Sequence, residues 1–151
     1  MSDLLYTSCL AKQQAVKALF SACLSAEDKY QKIIELGRQL APLQAVYKTP
    51  ENLVRGCQSN LYLHASWMDG KVAFTAAADA LISAGLAALL VKVYGGESPE
   101  VILKCPPAYL DELGIGASLT PNRANGLYSI HLRMKQEALK FLLEQDKSGR
   151  C

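Results

Sequence analysis

A chain of 151 residues, 50% hydrophobic and 20% charged, has the balance of a folded globular protein and excludes a disordered tail. Its 16 Lys and Arg against 14 Asp and Glu leave a net charge of +2, too slight for a nucleic-acid binder that works by counterion release. The length predicts one domain over residues 1–151, large enough to bury a core without disulfide staples.

The first residues carry no basic stretch ahead of an apolar one, and Lys12 and Lys17 interrupt the residues after them, so no secretory leader is expected. Helical spacing runs from about Ser8 to Cys23 through Leu10, Val16, Leu19 and Phe20. Ser25-Ala26-Glu27-Asp28 resembles a capping box and opens a second helix through Tyr30, Ile33, Ile34, Gly37 and Leu40, which Pro42 stops. After a loop from Gln44 to Asn52, Leu53-Val54-Arg55 reads as a short extended piece and Gly56-Cys57-Gln58-Ser59 as a tight connection. Asn60 to Met68 alternates as a strand, Asp69-Gly70 is a hairpin turn, and Lys71 to Thr75 returns as its partner. The middle of the chain is thus expected to form a small antiparallel sheet of about three strands.

Asp79 reads as the N-cap of a buried helix whose apolar face runs from Leu81 to Val93 and ends at Gly95-Gly96. The charge-free run from Ala80 to Val91 is too short to span a bilayer, which takes roughly 20 apolar residues. Ser98-Pro99 opens a short helix closed by Cys105-Pro106-Pro107, and Thr120-Pro121 opens a long one through Leu127, Ile130, Met134, Ala138, Phe141 and Leu142. Helices, a central meander and more helices make the fold class α+β.

The five cysteines are an odd number and hold no two-residue spacing of a zinc knuckle or a redox motif, so free thiols in a reducing cytoplasm are expected. Cys9 and Cys23 fall inside a helical pattern, Cys105 stands before two prolines, and Cys151 is at a frayed end. Cys57 differs in sitting in a turn between two extended pieces, where reactive groups tend to lie, although Gly-Cys in a turn is also common. If it reacts, two chemistries are open. A cysteine hydrolase needs a base, and His64 and His131 are the candidates; thiol exchange needs an accessible thiolate and a partner but no dedicated base, and suits the sequence better. A metal or cluster site needs several thiolates to converge, which one loop cysteine does not supply.

Several motifs together resemble the SufE family of sulfur acceptors. Lys29-Tyr30-x-x-Ile33-Ile34-Glu35-Leu36-Gly37 is similar to that family's second helix, and Val54-x-Gly56-Cys57-Gln58-Ser59 to its V-x-G-C-Q-S loop, followed by the strand at Leu61-Tyr62-Leu63. Asp79-Ala80 with Gly85-Leu86 resembles the stretch opening its central helix, and Leu119-Thr120-Pro121-Asn122-Arg123-x-x-Gly126-Leu127 its L-T-P-x-R-x-x-G-L motif. The resemblance extends over about residues 15–142 in the family's order. It implies a small sheet packed with helices, similar to the IscU scaffold, and a sulfur-transfer accessory protein rather than a stand-alone enzyme. Such a protein takes sulfane sulfur from a pyridoxal-phosphate cysteine desulfurase of the SufS or CsdA kind, holds it as a persulfide on Cys57, and passes it toward the Suf scaffold complex. It stimulates the desulfurase and binds no cofactor or metal of its own. The same resemblance gives Gly56, Gln58, Ser59 and Arg123 roles in shaping the loop or meeting the partner. One departure is Ala84, where the family usually has Lys or Arg before the Gly-Leu pair.

Overall fold

The computed structural model describes the backbone of residues 2–57 and 59–149 and the side chains of residues 4–57 and 59–145. Gln58 and Cys151 lie outside these.

Helices α1 (Ser2–Leu5) and α2 (Thr7–Leu19) precede α3 (Ala26–Arg38). The expected capping box forms in a shifted version: Ser25 Oγ accepts from the Asp28 N–H at 3.1 Å, while the Asp28 carboxylate reaches back to the N–H of Leu24 at 3.1 Å. The Asp side chain is one methylene shorter than Glu, and here it meets the residue ahead of the cap instead of the cap itself. Two 3-10 turns, Ala45–Tyr47 and Pro50–Asn52, carry the chain to a hairpin of β1 (Leu61–Met68) and β2 (Lys71–Ala78). Its turn has Asp69 at φ 50 and Gly70 at φ 83, the left-handed pair that matches strand twist. The register sets Leu61 opposite Ala78, Leu63 opposite Ala76 and Trp67 opposite Val72, so one face of the ribbon is apolar and packed on helices.

The sheet has two strands, not about three. Leu53 makes a single bridge to Tyr62, with the Val54 N–H donating to Leu61 O at 2.8 Å, before Gly56 (φ +94) turns the chain away. A second isolated bridge joins Val72 to Glu97 on the opposite edge. Asp79 also departs from expectation. The helix N-cap is Ala80, and Asp79 instead accepts from the Asn60 N–H at 3.1 Å and donates its own N–H to Asn60 O, closing the open end of the hairpin.

Helix α4 (Leu81–Tyr94) is the core of the protein and packs against α2, α3, β2 and the last helix. It is buried on nearly every side, which explains its almost uniformly apolar sequence. It meets α3 at a crossing of two glycines, where a Cβ on Gly37 would lie 2.5 Å from Gly85 N and a Cβ on Gly85 would strike Ile33 O. Beyond α5 (Pro99–Lys104), the short α6 (Ala108–Glu112) and a 3-10 turn at Gly116–Ser118 were not foreseen; their runs are too short to show a period. Helix α7 (Pro121–Gly149) then covers α5 and α4 through Ile130, Met134 and Ala138, while Trp67 stacks on Phe141 at 5.7 Å. No helix of the described residues is long and apolar enough to cross a membrane.

Candidate functional site

Cys57 sits where the loop between the Leu53 bridge and β1 passes over the first turns of α7. Gly56 brings it there by two properties of glycine. Its φ of +94 is strained for any L side chain, and a Cβ would collide with Ser129 Oγ on α7. The thiol is half-buried, and its S–H points to the carbonyl of Gly126 with sulfur and oxygen 3.9 Å apart. A Cβ on Gly126 would lie 3.8 Å from that sulfur, in ordinary van der Waals contact, so the thiol packs directly on this turn of α7. Burial pushes the Cys57 thiol above its ordinary pKa, so at neutral pH it rests protonated.

Beside the sulfur is a cavity of about 170 Å³. Ile82 and Leu86 of α4 and Ile130 of α7 form its apolar wall, and Ser59, Ser83, Asn122 and Arg123 its polar one. Ser59 and Ser83 share a hydrogen bond of 2.7 Å, which ties the loop's far end to α4. Arg123 lines the same cavity, and its guanidinium lies 5.4 Å from the centre of the Tyr30 ring on α3. The structure therefore brings Gly56, Cys57, Ser59 and Arg123 together, from two segments more than 60 residues apart in sequence. Ala84 is half-buried at the glycine crossing, with its carbonyl carbon near Gly37.

The other thiols are placed differently. Cys9 and Cys105 are fully buried and share the side-chain amide of Gln13, whose nitrogen lies 3.8 and 3.7 Å from their sulfurs. Burial, with the neighbouring Cys105, pushes Cys9 up to about 12. Cys23 is half-buried against the core. No group of three or more His, Cys, Asp or Glu side chains suited to a metal ion occurs among the described residues.

Neither histidine lines the cavity beside Cys57. His64 stacks on Tyr47 with ring centres 3.7 Å apart. His131 is buried, stacks on Tyr94 at 5.0 Å and leaves Nε2 without a hydrogen-bond partner. Burial, with a smaller push from Lys135, lowers its pKa from 6.5 to about 4. Between those values the unfolded chain binds more protons than the fold, so stability falls as the pH drops through that window. The loss attributable to His131 should approach ~3 kcal/mol near pH 4. His131→Phe keeps an aromatic ring against Tyr94 and removes the proton. Urea midpoints at pH 7 and pH 4.5 should therefore differ less in the variant than in the wild type; an equal difference would assign the acid sensitivity elsewhere.

Sequence reasoning missed Arg133. Its guanidinium donates to the carbonyl of Leu53 at 3.1 Å and to that of Glu51, and its Nε pairs with Glu137 at 3.0 Å. It thus binds the stem of the Cys57 loop to α7. Partners that are backbone carbonyls leave no trace in side-chain identity, so the only available signal was an arginine between two apolar residues, Leu132 and Met134.

Comparisons with known proteins identify the family. The model of the SufE family, an Fe-S metabolism associated domain, matches residues 14–138. An uncharacterised SufE-like protein of Synechocystis sp. is 37% identical over 117 residues, covering 78% of this chain and 74% of the relative. SufE-like protein 1, chloroplastic/mitochondrial, of Arabidopsis thaliana is 35% identical over 141 residues, which is 91% of this chain but 38% of that longer protein. Among solved structures, the solution structure of a hypothetical protein from Thermus thermophilus superposes with a TM-score of 0.71 at 28% identity, covering 87% of this chain and 96% of the other. The family match takes in the loop of Cys57, the glycine crossing and the first turns of α7, and on it the chain belongs to the SufE family, whose domain is associated with Fe-S metabolism.

Proposed function

We propose that the chain is a sulfur carrier that loads Cys57 from a pyridoxal-phosphate cysteine desulfurase of the SufS or CsdA kind and unloads it to the Suf scaffold complex. The observation that carries this reading is a half-buried thiol on a glycine-turned loop, over a cavity that leaves room beside the sulfur. In the transfer, the Cys57 thiolate attacks the outer sulfur of the desulfurase's Cys–S–SH. A new S–S bond forms at Cys57, the old one breaks, and its electron pair leaves with the enzyme's thiolate. That thiolate takes up a proton equivalent to the one Cys57 released, so no oxidant or reductant is consumed. Freeing the enzyme's cysteine is also what speeds its turnover.

The raised pKa gives the resting state a function in this scheme. A protonated, half-buried thiol is a poor nucleophile toward stray electrophiles. When the loop swings out to a partner, Cys57 loses the burial that held the proton. On its return, the cavity shelters the persulfide between Ile82, Leu86 and Ile130. Arg123 and Ser59 shape that cavity, and free thiols of this kind belong in the cytoplasm or another reducing compartment.

The hydrolase reading lacks equivalent support, because each histidine is engaged by a tyrosine and the Cys57 S–H is directed at a carbonyl. The test is incubation of the protein with a SufS-type desulfurase and cysteine, with intact mass and peptide mapping as the readout. One added sulfur on the Cys57 peptide, removed by reductant, is expected together with faster alanine release by the enzyme. No added sulfur and no stimulation would overturn the proposal.

A further inference from the structure

The loop that carries Cys57 has two kinds of attachment. At its far end, Ser59 shares a hydroxyl pair with Ser83, and Asn60 exchanges two hydrogen bonds with Asp79. At its near end, Arg133 holds two successive parts of the stem, the carbonyls of Glu51 and Leu53, and is itself braced by Glu137. The arginine and its glutamate are both mostly shielded from solvent, with side chains 18% and 17% exposed, so this is an ordered contact rather than a surface pair. Hydrogen bonds from a charged donor are roughly twice as strong as neutral ones. Both ends of the loop are thus anchored, and Arg133 is the charged tie on the side before the cysteine.

We propose that Arg133 is a clasp that fixes the near stem of the loop and so sets how readily Cys57 leaves the cavity. With the clasp closed, the Val54–Leu61 backbone pair is the last fixed point, and Cys57 is three residues beyond it. Three extended residues span about 10 Å. With the clasp open, only the Leu53–Tyr62 bridge and the Val54–Leu61 pair hold the near stem, while the anchored Asn60, three residues beyond Cys57, still limits the excursion of the sulfur to about 10 Å. A looser stem spreads the thiol over more positions and lowers its effective concentration at any one point. Opening the clasp should therefore make Cys57 easier to reach by a small molecule yet less efficient at meeting one buried sulfur on a partner. Arg133 touches neither the thiol nor the cavity, so it is a positioning residue.

The second half of this inference rests on the carrier reading; the first does not. The test compares the wild type with Arg133→Met and Arg133→Lys, using iodoacetamide under native conditions with peptide-resolved mass detection. Cys9 and Cys105, sealed in the core, serve as internal reporters of general loosening. Arg133→Met removes two charge-assisted hydrogen bonds from the stem and should alkylate at Cys57 at least about tenfold faster. Cys9 and Cys105 should stay unreactive, and desulfurase-dependent loading should fall about threefold or more. Arg133→Lys, which keeps the charge but cannot bridge two carbonyls, should lie between. Glu137→Gln, which leaves the arginine in place and loosens its brace, should move alkylation the same way by less, and it serves if Arg133→Met does not fold. An unchanged Cys57 rate in Arg133→Met and Glu137→Gln, or a parallel rise at Cys9 and Cys105, would overturn the clasp. If the wild type itself accepts no sulfur, the carrier reading fails, and the clasp is then decided by the alkylation contrast alone.

Discussion

Cys57→Ser should abolish sulfur loading, lowering desulfurase-dependent uptake by roughly 10³-fold or more, the scale seen when a covalent nucleophile is removed. A serine hydroxyl does not ionise in the accessible pH range and cannot form the S–S bond that holds the cargo. The fold should be indifferent to the change. Cys57 is half-buried at the rim of the cavity, its thiol makes a long contact to the Gly126 carbonyl, and a hydroxyl can donate to the same carbonyl. Its Tm should therefore move by no more than about 3 °C, corresponding to a change of under ~1 kcal/mol. Uptake of labelled sulfur from cysteine, traced per peptide, measures the effect. Label that persists at another cysteine in Cys57→Ser would remove this residue from the carrier role. The double variant His64→Gln, His131→Phe should still load sulfur and still stimulate the desulfurase, since neither ring lines the site; loss of both activities with the fold intact would revive a histidine-assisted mechanism.

The largest effect on stability is expected from Gly85→Ala. The methyl group would meet the backbone of α3 at Ile33, and a helix backbone cannot rotate aside as a side chain can. The two helices must separate, and the buried Ile33 and Leu36 of α3 then lose packing against α4. A cost of roughly 3 kcal/mol lies at the upper end of overpacking and would lower Tm by about 6–12 °C for a chain of this size. Gly37→Ala should behave alike, because its methyl group would meet the Ala84–Gly85 backbone. The double variant should cost less than the sum, since one separation relieves both clashes. Thermal unfolding of the three variants decides the matter; single losses under ~1 kcal/mol would mean that the crossing is slack. Because α4 also supplies Ile82, Ser83 and Leu86 to the cavity, Gly85→Ala should slow sulfur loading as well.

Elements with a strong local cause could be read in the sequence. Ser25, Asp69-Gly70 and Thr120-Pro121 act on their own neighbours, and each stands at or beside an observed boundary, whereas α3 ends at Arg38, short of Leu40 and Pro42. The alternation of Leu61, Leu63 and Ala65 likewise marked the packed face of the ribbon. What failed depended on distant partners. Leu53-Val54-Arg55 has strand-like residues, yet only one bridge forms, because Gly56 must turn the chain onto Ser129. Asp79 has the chemistry of a cap, but the amide of Asn60, 19 residues earlier, claims its carboxylate. At the site, Cys57 and Arg123 were found as separate candidates, while their shared cavity and the reach of Arg133 to the stem arise only when α7 folds back across the loop. Gln58 remains a candidate by resemblance alone.

The two isolated bridges of the hairpin have a consequence for how the protein meets other molecules. A two-stranded ribbon has unpaired amides and carbonyls along both sides and is an invitation to pair with another chain. Here Leu53 occupies part of the outer side of β1, and Glu97 part of the outer side of β2, where it is also held by Lys12 at 2.6 Å and by Ser8. An incoming strand would find neither side open along its full length. These two bridges thus shorten the stretch of either strand on which an edge-to-edge pairing could form.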